Sequence, residues 1–131
     1  MDKLDTLRAF IGPAQRQAIY CLMRGEEGEY YREKIAALIK LLESMPRVYE
    51  QDGKGDQAIV YLHYFTGSMD WYITERDTST EQFQAFGLAD FGDGGELGYI
   101  SIAELLQSHD VEIDLHWTPK PLAEVKSCKA A

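Results

Sequence analysis

The chain is short of the features by which small proteins usually declare a task. Among 131 residues there are two cysteines, Cys21 and Cys128, three histidines and four prolines. Two cysteines without a spacing motif make no disulfide framework, so both are expected as free thiols of a reducing cytoplasm. No apolar run approaches the ~20 residues that a membrane helix requires. Asp2, Lys3, Asp5 and Arg8 interrupt the first ten residues, so no secretory leader is expected. Basic residues are scarce: 13 Lys and Arg stand against 22 Asp and Glu, a net charge of −9. What is present is ordinary for a folded chain, with 45% hydrophobic and 11% aromatic residues. Collagen-like, coiled-coil and disordered states are excluded by that composition. The length fits a single domain, residues 1–131, that builds its core without staples.

The negative charge is segregated. Residues 1–49 carry 8 basic and 7 acidic side chains, residues 50–114 carry 2 basic and 14 acidic, and residues 115–131 carry 3 basic and 1 acidic. The middle block, net −12, also holds nine of the fifteen aromatic residues. A field of that sign repels phosphates and attracts basic partners, so direct nucleic-acid binding is not expected.

The first 49 residues read as helical. Asp2 is placed to cap a stretch from Lys3 to Ile11. Gly12 breaks the pattern, and Pro13 suits the first turn of a second helix over Ala14–Arg24, stopped by Gly25. Tyr31, Ile35, Leu38, Leu42 and Met45 form one stripe at helical spacing, which predicts a third helix over 29–45 ended by Pro46. Residues 50–117 read mainly as β. After the turn cluster 51–56 (QDGKGD), a strand over 58–66 is apolar on both faces. Gly67-Ser68 closes a hairpin into a strand over 69–75, and a third strand is expected over 82–91. A turn at 92–96 leads to a short strand over 97–100. Ser101 with Glu104 spells a capping box for a helix over 102–107, and 111–117 alternates like a half-buried strand. Residues 118–131, with Pro119 and Pro121, read as an irregular tail. The predicted fold is α+β, with N-terminal helices packed on an antiparallel meander that holds one inserted short helix.

Motifs of catalysis and metal binding are missing. There is no HExxH, HxH, CxxC or GxSxG, and no glycine-rich phosphate cradle. The run Asp90 to Glu96 is too short for an EF-hand loop, and its Asp and Gly are what a tight turn needs. No cofactor, metal site or catalytic residue is therefore assigned. The remaining signal is a surface one. Trp71, Tyr72, Tyr99, His116 and Trp117 are amphipathic rings interleaved with Asp70, Glu75, Asp90, Asp93, Glu96 and Asp114. Rings among carboxylates suit a basic protein surface, through buried contact and cation–π attraction.

Three segments in order carry a resemblance: 63–75 (HYFTGSMDWYITE), then 85–90 (AFGLAD) with 96–106 (ELGYISIAELL), then 114–122 (DLHWTPKPL). Together they resemble a family of small proteins of unknown function from bacterial plasmids, phages and integrative elements. The likeness spans about residues 58–125, and Trp117 stands where many members carry Phe. The family transfers no catalytic residue. It implies a mobile-element setting, in which an acidic protein offers carboxylates where a host DNA-handling or defence protein expects phosphates. The leading expectation is thus a cytoplasmic, non-enzymatic interaction protein with a basic protein partner. The alternative is a small hydrolase or metal-dependent enzyme using His63 or His116, which predicts a histidine meeting two carboxylates.

Overall fold

The computed structural model describes residues 3–130, with side chains through residue 128. Asp2, the expected first cap, lies outside the described residues. Three helices open the chain: α1 (Lys3–Phe10), α2 (Pro13–Met23) and α3 (Gly28–Ser44). Pro13 sits in the first turn of α2, where its missing N–H has no partner to lose. There follow β1 (Ile59–Val60), β2 (Leu62–Thr66), β3 (Met69–Glu75), β4 (Ala85–Asp90) and β5 (Glu96–Ile100). Then come α4 (Ile102–Leu105), β6 (Glu112–Ile113), β7 (Lys120–Pro121) and α5 (Leu122–Ala130). The fold is α+β. Five antiparallel strands form one sheet in the order β5-β4-β3-β2-β6, and β1 pairs with β7 in a separate ribbon.

Each face of the sheet has its own core. Trp71, Ile73, Tyr64 and Ala85 point toward α1, α2 and α3, where Leu7, Phe10, Ile19, Ile39 and Leu42 meet them. The Tyr64 hydroxyl donates to the carbonyl of Phe10, and burial pushes its pKa up. On the opposite face Tyr72 and Leu88 pack with Ala58, Val60, Leu122 and Val125.

Four expectations need correction. The strand expected over 58–66 is two pieces, because Val60 turns to pair with β7 while the Tyr61 N–H donates to the Ile73 carbonyl. The third strand begins at Ala85 and not at 82, since Gln82 is buried at φ 58 and its side chain bonds Asp77 and Ser79. The strand expected over 111–117 is limited to Glu112–Ile113. Asp114 starts a turn there by accepting the His116 N–H. The tail expected to be irregular over 118–131 is a strand and a helix. The Leu122 N–H donates to Ala58, and Leu122 and Val125, three residues apart, enter the second core. The capping box forms as read, with the Glu104 N–H donating to the Ser101 hydroxyl at 3.1 Å.

The two lateral edges of the sheet are finished differently. At β6, the side-chain amide of Gln15 from α2 behaves like a strand. Its Nε2 donates to the Ile113 carbonyl at 2.9 Å and its Oε1 accepts the Ile113 N–H at 2.9 Å. At β5, among the described residues, no strand lies on the outer side.

Candidate functional site

The residues singled out from the sequence fall into separate places. Trp71 and Asp90 are interior. Trp71 packs in the helical core with its ring edge against Phe91, and Asp90 is buried with its Oδ1 accepting the Gly92 N–H. Tyr72 is interior on the other face. These three offer no surface to a macromolecular partner, because alternation along β3 and β4 turns them into one core or the other. Asp93 and Glu96 are exposed beside the open edge, and Asp93 also accepts the Gly95 N–H of the turn. His116 is exposed.

Asp70, Asp114, Tyr72 and Trp117 gather around His63. The His63 Nε2 lies 2.8 Å from Asp70 Oδ1, and its Nδ1 lies 3.1 Å from Asp114 Oδ2. The ring stacks on Tyr72 with centroids 4.8 Å apart and planes within 6°. Trp117 tilts against it at 5.1 Å and donates its indole N–H to the Val60 carbonyl. Both ring nitrogens face carboxylates. The histidine therefore works as a clasp across β2, β3 and the turn after β6, with no ring nitrogen left over for a substrate. Lys120 caps the cluster, its Nζ 4.5 Å from the Trp117 ring centre. Among the described residues no group of three His, Cys, Asp or Glu side chains is disposed to hold a metal ion.

Glu75 and Tyr99 belong elsewhere, at a cavity of about 380 Å³ on the second face of the sheet, next to β5. Its walls are largely apolar: Val48, Ala58, Phe86, Leu97 and Leu122. Two local features build it. First, the pairing of β3 with β4 slips between Ile73 and Glu75, so Thr74 and Glu75 both line the cavity where plain alternation would divide them. Second, the loop carrying Tyr49, Gln51 and Asp52 folds over the opening with Tyr49 at φ 80, in the left-handed region.

The chemistry of the cavity is concentrated in Glu75. The residue is only 4% exposed, and its Oε2 has no hydrogen-bond partner. Burial pushes its carboxyl pKa up against the pull of main-chain N–H groups at Gln51, Tyr49 and Glu50, and the charge of Asp52 adds to the rise. The other polar groups nearby are spent on the main chain. Gln51 Nε2 donates to the carbonyls of Ile59 and Thr74, its Oε1 accepts the Ile59 N–H, and Thr74 donates to Phe86. At the rim the hydroxyls of Tyr49 and Tyr99 meet at 2.6 Å, a hydrogen bond that raises the Tyr99 pKa.

Residues 32–121 match the family model DUF2958, described as "Protein of unknown function (DUF2958)". The chain belongs to this family. The match takes in most of α3, all of the sheet, the His63 clasp and every residue lining the cavity except Leu122. It also extends the earlier likeness toward the N-terminus, into the loop that holds Tyr49 and Asp52. Neither a curated protein nor a solved structure matches the chain. No helix among the described residues is long and apolar enough to cross a membrane.

Sequence reasoning missed Tyr49, Gln51, Asp52 and Thr74 as site residues. The turn cluster 51–56 marked only a loop. The slip in β3 leaves no trace in residue alternation, so the convergence of Thr74 and Glu75 was not readable.

Proposed function

We propose that this chain is a non-enzymatic interaction protein whose β5 edge receives an extended, basic segment of a partner protein. The observation that carries the proposal is the contrast between edges: Gln15 closes β6, whereas β5 is left open with Leu97 47%, Tyr99 55% and neighbouring Phe91 55% exposed. Exposed apolar edges are usually blunted, because they invite pairing. The charge beside it, from Asp93, Glu96 and Asp52, is negative, which repels a second acidic chain and attracts a basic one. A protein that handles nucleic acid has such a basic surface, and the carboxylates would stand where it meets phosphates. That partner class also fits the mobile-element setting implied by the family resemblance.

An isotope-labelled chain titrated with a peptide of about eight alternating lysine and valine residues, the length of an ordinary strand, tests this. Amide shifts should concentrate on 96–100 and diminish as salt is raised. Shifts confined to other surfaces, or binding indifferent to salt, would overturn the reading.

A second reading, a small hydrolase, draws on the meeting of His63 with Asp70 and Asp114. It is the weaker of the two, since both ring nitrogens are committed and His63 does not line the cavity at β5.

A further inference from the structure

The cavity beneath the open edge has a need that its own walls do not meet. Glu75 Oε2 is buried without a donor, and the Gln51 and Thr74 side-chain donors beside it are engaged by main-chain carbonyls. A carboxylate oxygen stripped of water and left unpaired is costly, and a structure keeps one when something else supplies the donor. The lining contains two acids, Asp52 and Glu75, and no Lys, Arg or His. Apart from Gln51, Thr74 and two glycines the remaining wall is aliphatic and aromatic, and about 380 Å³ falls within the range of small-ligand sites.

We propose that this cavity is a binding site for a primary alkylammonium group on an unbranched apolar stem, supplied as a lysine side chain by the segment that docks on β5. The apolar wall accepts the stem, Glu75 Oε2 accepts one ammonium N–H, and Tyr49 and Tyr99 at the rim offer ring faces to the cation on its way in. Ammonium is favoured over guanidinium because a single oxygen is unpaired. A planar fork needs two acceptors side by side, whereas a point charge with rotatable donors needs one. Leu97 and Tyr99 of β5 line both the edge and the cavity, so alternate side chains of an added strand would lie over its mouth. The inference rests on the edge reading for the source of the lysine and on the cavity alone for the ammonium.

The test is a titration of the isotope-labelled full chain with n-butylammonium, against n-butanol as a neutral match and butylguanidinium as the fork. Butylammonium should shift the amides of Gln51, Thr74 and Leu97 saturably and bind roughly tenfold or more tighter than butanol, a difference of about 1.4 kcal/mol. The preference should vanish in Glu75→Gln, whose fold is verified by its unchanged spectrum at β2 and β6. Equal binding of butanol and butylammonium, tighter butylguanidinium, or shifts away from these residues would overturn the proposal. The alternating peptide and its acetyl-lysine form then separate the two readings. Loss of binding on acetylation supports a lysine in the cavity. Equal binding of both peptides overturns the lysine source while leaving the edge in place. A peptide that fails where butylammonium succeeds overturns the edge reading, and with it the lysine source, and assigns the site to a free amine.

Discussion

The two edges of the sheet show what this molecule closes and what it leaves open. At β6 the strand is two residues long, and the Gln15 amide occupies both main-chain groups of Ile113. His63 adds a second fastening, because Asp114 follows β6 directly and is bonded to the ring. At β5 the strand is five residues long, with Glu96, Leu97 and Tyr99 exposed, and nothing among the described residues takes the same position. One edge therefore contributes to stability and the other holds surface in reserve. Substitutions on the β6 side should cost folding energy, and substitutions on the β5 side should cost binding.

The largest effect is expected at the clasp. His63→Ala removes the ring from between Asp70 and Asp114 and leaves both carboxylates half-buried without its contact. A loss of about 3 kcal/mol in urea unfolding is expected. A loss below about 1 kcal/mol would show that the clasp does not fasten that side. Next comes Gln15→Ala, which unpairs the N–H and carbonyl of Ile113 for a loss of about 2 kcal/mol. It should also make β6 a new edge, visible in sedimentation as weak self-association. A variant as stable and as monomeric as the parent would erase the distinction between the edges.

Glu75→Gln should act in the opposite direction. Burial raises the Glu75 pKa, so the folded chain holds this proton more tightly than the unfolded chain does. That contribution is fully present below the ordinary carboxylate range and is lost as pH rises through the folded value. The glutamine variant escapes the loss. Its melting temperature should match the parent near about pH 4 and exceed it near about pH 8. A constant gap across that interval would contradict a buried, proton-holding Glu75. The smallest effect on stability belongs to Glu96→Lys, within about 0.5 kcal/mol, as for exposed sites generally. Its binding of the lysine–valine peptide should nonetheless weaken severalfold, with a flatter salt dependence. Unchanged affinity would move the acidic contact away from β5.

Most of the scaffold was legible because its signals are local. The stripe from Tyr31 to Met45, Pro13 at a first turn and the Ser101–Glu104 box each act within a few residues, and the elements form where those signals stand. The apolar run 58–66 indicated a segment covered on two faces, but Val60 and Tyr64, of one parity, enter opposite cores only because the chain breaks at Tyr61. Features requiring distant partners were not legible. Nothing near Gln15 marks it as the stopper of an edge 98 residues away. Trp71 and Tyr72 look alike as aromatic neighbours of acids, and only the assembled sheet shows that both are covered. The acids likewise divide by tertiary placement: Glu75 lines a cavity, Asp70 and Asp114 hold a histidine, and Asp93 and Glu96 remain at the rim.

The sheet is a party wall between two rooms that different stretches of chain furnish. Leu7 to Met45 with Ile102 and Val111 supply one side, and Ala58, Val60, Trp117, Leu122 and Val125 supply the other. A chain made from its N-terminus onward can thus complete its first core, through Ile113, before Leu122 and Val125 cover Tyr72 and Leu88. The cavity at β5 gains its Leu122 wall only after residues 117–125 have emerged and α5 has docked. The order of synthesis then completes the helical core first and the walls of the cavity last.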